Sequence, residues 1–475
     1  MIRGFLFVLV LFIFFPSLLC LGFDPVDVAA PIGYRVHNVD TGLDYTTIQG
    51  AIDAPETENG HTIFVDSGIY YEHVVVDKAL ALVGDGNRTT IVDGNGTGTV
   101  IKISANSVTL NGFTVQNSGS EPGTSYAGVK ISGHMFVNIT GNHVTRNKIG
   151  IFVTSQGSRI TENNVTNNGQ GIALYDSSEV VVEANAVTAN TVGISLALSF
   201  NNLIVDNSAT NSSSGGHGIT LSSNSFNNTI FSNDLTNNYH GMWLSSSSNN
   251  RIVENNLADN KLLGIELASS PGNTIYYNNF INNSKHVVSD KQPNTWDYGF
   301  PSGGNYWSES TGVDLFTGPD QNETGSDGIQ DNVHFIDENN RDNYPLAGMS
   351  HDFNADSGYC VRTISNSSVS AFQFNGTAIT FNVSGENRTI GFCRIRIPTT
   401  LMNGTYRVFV NGTEAPHILL TFSNSTHSYL YFDYCHSTKG VVIIPEFPLP
   451  IILLSFMIST LLAIMVVRLL SPCDL

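Results

Sequence analysis

His217 and His240 each stand immediately before a glycine, Gly218 and Gly241, at matching points of a repeated pattern. Matching points of neighbouring repeats stack, which predicts imidazoles about 5 Å apart. Tyr239 and Trp243 flank His240, and Trp243 falls in an outward column. An exposed indole beside polar groups can stack on a sugar ring. Two stacked imidazoles could instead hold a metal ion. An incidental surface patch is the plainest account of the same residues. His217, Tyr239, His240 and Trp243 are therefore the candidate ligand-binding residues.

Acid–base chemistry on a glycan needs carboxylates, or a carboxylate with a base, converging on one face of neighbouring repeats. Asp206 and Glu254 share an outward column, with Ser232 between them. Asp234 and Asp259 lie on adjacent repeats but in different columns, and Asp176, Glu179 and Glu183 cluster in one loop and its following strand. No paired-acid site emerges, these charges read as solvated turns, and no residue can be named catalytic. Further on, Asp320, Asn322, Asp327 and Asp331 offer oxygen ligands at short spacing, with Gly325 and Gly328 for turns. Calcium suits that ligand set, although the segment departs from a regular EF-hand loop; a solvated acidic loop is the alternative. Cys360, Cys393 and Cys435 are disulfide candidates. One pair and one free thiol follow if no other chain takes part, with the pairing open.

The elements that must position these residues come from a repeat. Gly128, Gly150, Gly171, Gly193, Gly218, Gly241 and Gly264 recur at steps of about 21 to 25 residues. Each is followed by apolar, variable, apolar: Val129 and Ile131, Ile151 and Val153, Ile172 and Leu174, through to Ile265 and Leu267. Period-two alternation is a strand with one buried face. A second apolar column runs Ile139, Ile160, Val182, Ile204, Ile230, Ile252, Ile275. Three residues after each stands an Asn, from Asn142 to Asn278. One unit is too thin to bury its own apolar face, so units stack edge to edge and like residues align into columns. The expected fold is all-β: a right-handed parallel β-helix over 40–300, with an Asn amide ladder. Residues 46–52 predict a short helical cap. A polar acidic segment over 301–348 closes the solenoid, and alternating strands over 350–440 predict a small β-sandwich.

The two ends predict an address. A single Arg3 ahead of an apolar run from Phe5 to Leu19 reads as a signal peptide over 1–22. The apolar run from Leu449 to Val467, followed by Arg468, is long enough to span a bilayer and predicts a transmembrane anchor over 449–469, with the body outside. Sequons crowd the stretch from Asn366 to Asn424, as on a glycosylated surface domain. A net charge of −19 with only 21 Lys and Arg argues against a nucleic-acid partner.

The repeats, the Ile48-Gln49-x-Ala51-Ile52 cap and the block from Gly304 to Leu346 resemble archaeal NosD-like proteins over roughly residues 40 to 347. Pro445-Glu446-Phe447-Pro448 resembles the PEF-type sorting tail of archaeal surface proteins, although the basic cluster usual after the span is here only Arg468. The resemblance implies the parallel β-helix and a cell-surface address. Relatives in the broader group bind, cut or epimerise polysaccharide, and bacterial NosD is tied to copper loading of a reductase. The absence of paired acids favours binding of extracellular polysaccharide or another envelope component without catalysis. A polysaccharide lyase, hydrolase or epimerase is the alternative, and a copper-handling accessory protein a second one.

Overall fold

A computed structural model describes residues 35–446 of the chain, apart from Ser214 and Ser357. The expected signal peptide at 1–22 and membrane span at 449–469 lie outside these residues. Among the described residues no helix is long and apolar enough to cross a membrane.

The body is a parallel β-solenoid. One turn of it runs through strands Ala127–Ser132, Asn138–Thr140 and His143–Thr145 before Ile149–Thr154 returns to lie beside the first. Among the described residues the first strands of successive rungs form a ten-stranded front sheet, and the second strands, extended by the antiparallel Val36–Asn38 and Leu43–Tyr45, a twelve-stranded back sheet. The third strands form a side sheet, seven strands followed by three. It breaks at Asp234, which makes only isolated bridges to Ser208 and Asn256. The expected columns hold in register: Val129, Ile151, Ile172, Ile194, Ile219, Met242 and Ile265 pair in succession, and all are fully buried.

The Asn column is a continuous ladder. From Asn142 through Asn163, Asn185, Asn207, Asn233, Asn255 and Asn278 to Asn305, each backbone N–H and each Nδ2 donates to the Oδ1 of the next, at 2.9–3.1 Å. The same amides also reach strand carbonyls; Asn207 Nδ2 donates to Val182 O and Val205 O. From Asn142 to Asn278 the residue before each ladder Asn is held in the left-handed region, from Ala184 at +53° to Gly141 at +64°. Most are not glycine, so the ladder outweighs their intrinsic dislike of that conformation.

The sequence shows one ladder, and the described residues form three. Asn147, Asn168 and Asn190 form a second, resumed by Asn238, Asn260 and Asn283. A third runs Asn202, Asn228, Asn250, Asn273, Asn294. Two of the three end in the same short stretch. Asn294 N and Trp296 Nε1 donate to Asn340 Oδ1, while Asn305 N and Trp307 Nε1 donate to Asp342 Oδ2. Trp296 and Trp307 thereby cover the last rung, both fully buried. Burial pushes the Asp342 carboxyl up to about 7, against the donors that favour its anion. Gly304 is required beside it, since a Cβ there would fall 1.9 Å from Asp342 Oδ1.

At the other end the predicted helix forms as Ile48–Asp53. Thr47 accepts from Gly50 N at 3.0 Å, and Glu72 accepts from the free N–H groups of Ile48 and Gln49. The helix buries Ile48, Ala51 and Ile52 over the first rung.

Beyond Met349 the strands turn antiparallel and form two five-stranded sheets around a common core that includes Val361, Phe381, Ile395, Phe432 and Ile443. The expected disulfide is absent: Cys360, Cys393 and Cys435 are all free. Cys393 lies opposite Phe432 in the sheet, and Cys435 lies three residues further along that strand. That separation is about 10 Å and an odd number of residues, which turns the two side chains to opposite faces, beyond disulfide reach. Cys360 stands opposite Asn354 at the far end of its strand, whereas Cys393 lies opposite Ser365.

Replacing Asn233 by Ala would orphan the backbone and side-chain donors of Asn207 in a dry interior. The expected cost is about 2–5 kcal/mol, read as a lowered midpoint in urea unfolding; an unchanged midpoint would show that the ladder is dispensable.

Candidate functional site

Two consecutive rungs of the front sheet, His217–Ser222 and His240–Ser245, carry the candidate side chains. His217 pairs in register with His240, and Thr220 with Trp243. The two imidazole centroids lie 4.9 Å apart with planes at 86°, so they meet edge to face. Trp243 folds back over the preceding rung and stacks on His217, 5.4 Å between centroids and 24° between planes. Tyr239 stacks on His240 at 5.2 Å and 15°. The four predicted residues therefore form one continuous aromatic patch. Trp243, expected to be exposed, is half-buried because its own rung neighbour covers one face.

A fifth member escaped the sequence reading. Glu266 follows Trp243 in the outward column, and its Oε2 lies 3.2 Å from His240 Nδ1. The contact is close but not aligned as a hydrogen bond: both ring nitrogens of His240, and Nδ1 of His217, are buried without a hydrogen-bond partner. The signal was the column itself, Thr220, Trp243, Glu266, read on by one rung. Burial pushes the His217 imidazole down to about 4, and proximity to His240 adds to it. Burial also lowers His240, with Glu266 pulling the other way. Both rings are neutral at pH 7, and His217 is too weak a base to match proton transfer at that pH.

The other candidates fall elsewhere. Asp327 is buried and accepts from Thr317 Oγ1, Gln321 Nε2 and Ile329 N. Asp331 accepts from Leu315 N and Phe316 N, while Asp320 and Asn322 are exposed. Asp314, which sequence reading passed over, accepts from Asp327 N and Gly328 N, and burial raises it to about 7. The carboxylates that order this loop do so through its backbone N–H groups. Among the described residues no three His, Cys, Asp or Glu side chains converge as a metal site.

Of the outward acids, Glu254 is not a solvated turn charge. It and Asp352 flank Arg362, whose guanidinium also lies 3.7 Å from the Tyr277 ring centroid. Arg362 comes from the sandwich and Glu254 from the solenoid. Both are buried, so the pair clamps the two parts together. Asn279 strengthens the joint by exchanging two hydrogen bonds with the Ser350 backbone.

Residues 87–312 match the family model described as periplasmic copper-binding protein (NosD). A cell surface glycoprotein of the archaeon Methanothermus fervidus is 34% identical over 115 residues, 24% of this chain and 17% of that protein. A probable pectinesterase/pectinesterase inhibitor 13 of Arabidopsis thaliana is 51% identical over 61 residues, 12% of this chain and 10% of that protein. The chain thus spans about a sixth and a tenth of these relatives' lengths. Among solved structures, the A-module of a mannuronan C-5 epimerase from Azotobacter vinelandii is similar at 16% identity. That likeness covers 55% of this chain and 88% of the module, with a TM-score of 0.43.

The depressed basicity of His217 is directly visible by NMR. Its ring Cε1–H resonance, assigned by its loss in His217→Gln, should hold the neutral-imidazole position from pH 7 to below pH 5. A midpoint near 6.5 would show that the ring is solvated.

Proposed function

We propose that this chain is an exported cell-surface β-helix protein that binds glycan on the outward face of its front sheet, without turning it over. The observation that carries the reading is the patch of Trp243, His217, His240 and Tyr239. It presents stacked rings on neighbouring rungs, with both imidazoles kept neutral. Aromatic faces beside polar edges suit the CH-rich face and hydroxyl rim of a sugar. The absence of an aligned acid–base pair in the patch favours retention over reaction. The cell-surface relative, the sequons and the apolar runs from Phe5 to Leu19 and from Leu449 to Val467 support placement of the body outside the membrane. A glycan-array screen with product analysis tests it. Saturable binding without product, lost in Trp243→Ala, is expected. Released or epimerised sugar would make the protein an enzyme, and the absence of any bound glycan would remove the reading.

A second reading is favoured by one specific observation. Three nitrogens of His217 and His240 are unpartnered, and metal ligands must be neutral imidazoles. The NosD family model names copper binding. Copper is compatible with imidazole donors, and the two rings would be its ligands. Titration with copper should then show stoichiometric binding that His217→Ala abolishes; no binding at stoichiometric copper would dismiss this reading.

A further inference from the structure

The side sheet carries a groove of about 560 Å³, on a different face from His217 and Trp243. Its lining crosses four successive parallel strands, Thr90–Thr97, Thr114–Ser118, His143–Thr145 and Asn164–Thr166, with Ile91, Thr114, His143 and Asn164 in register. At ~4.8 Å per strand the floor runs roughly 14 Å along the solenoid axis.

The chemistry of the lining departs from that of the whole chain. The chain has 40 Asp and Glu against 21 Lys and Arg, yet the groove is lined by Arg88 and Arg146 and by no carboxylate. Both arginines are exposed, and among the described residues neither guanidinium has an ion-pair or side-chain hydrogen-bond partner. His143 lies where their fields meet: burial, with repulsion from Arg88 and Arg146, holds its ring neutral. The walls are set by hydrogen bonds, Asn87 Nδ2 donating to Gly141 O and Thr114 Oγ1 to Asn87 O. Asp93, in the adjoining column, is occupied by Gln116 Nε2, Asn117 Nδ2 and Asn95 N.

We propose that this groove binds an acidic saccharide chain, with carboxylate or sulfate groups meeting Arg88 and Arg146. A guanidinium presents a planar fork that matches either anion. The neutral Thr, Asn and Gln side chains between the arginines suit sugar hydroxyls, and the length of the floor suits an extended oligomer over a single ion. The proposal rests on the glycan-binding reading above but not on the aromatic patch.

The test is calorimetric titration of the full chain in detergent with a uronate oligosaccharide, a sulfated oligosaccharide, a neutral oligosaccharide and inorganic sulfate. At least one acidic oligomer should bind and the neutral one should not enter this site. Comparing the uronate and sulfated arms identifies the anion. The double variant Arg88→Gln/Arg146→Gln, with unchanged circular dichroism, should weaken that binding by about tenfold or more. Acidic-oligomer binding that survives in the double variant overturns the proposal. So does binding of inorganic sulfate alone. Neutral-oligomer binding alone, lost in Trp243→Ala, overturns the groove and leaves the glycan reading standing. No saturable binding of any oligomer overturns both.

Discussion

Everything in this molecule depends on the hydrogen bonds that one rung makes to the next. A single turn of the solenoid has an inside only because another turn lies above and below it. Strand pairing satisfies the backbone within the sheets, but each coil bends three times, and at each bend the backbone leaves the sheet while still buried. An unpaired N–H there is costly. The Asn side chain meets that need, accepting from one rung and donating within another. Along most of the ladder the residue before it adopts a left-handed conformation, which the chain tolerates at Glu162, Ala184, Asp206 and Ser232 alike.

A ladder that repeats must also stop. The first rung is covered by a helix whose exposed N–H groups are taken by Glu72. The last rung is harder, because it ends two amide ladders at once. Asn340 and Asp342, two residues apart, receive them together with the indole N–H groups of two tryptophans. The polar stretch there is a lid built from acceptors, and its acidity is partly spent inside the protein. Neighbouring Asp314, Asp327 and Asp331 serve the same kind of purpose, binding backbone N–H groups.

The same geometry makes the outer surface a set of parallel tracks. Side chains at one point of the repeat lie along the axis at a spacing close to that of stacked rings, so an aromatic patch or a cationic groove arises from ordinary substitutions in one column. The patch around His217 is desolvated enough to keep its imidazoles neutral. The groove between Arg88 and Arg146 lies open to solvent. One track is used internally: Glu254 turns from the solenoid towards Arg362 and joins the sandwich to it.

The sequence by itself determined the solenoid, its inward columns, the first Asn ladder, the helical cap and the stacking of His217 on His240. Each of these is a periodic or local property, and periodicity survives in one dimension. Only the tertiary structure decided what depended on distance between unlike segments. Cys360, Cys393 and Cys435 leave their pairing open in the sequence, and strand register turns Cys393 and Cys435 to opposite faces. Trp243 reads as exposed until its ring is seen to fold onto His217. Glu254 reads as a turn charge until Arg362, over a hundred residues on, arrives beside it. Arg88 and Arg146 share no repeat position, so no column could show that they border one groove. Periodic order is written along the chain, whereas charge pairing and enclosure are set by which rungs and domains fold against one another.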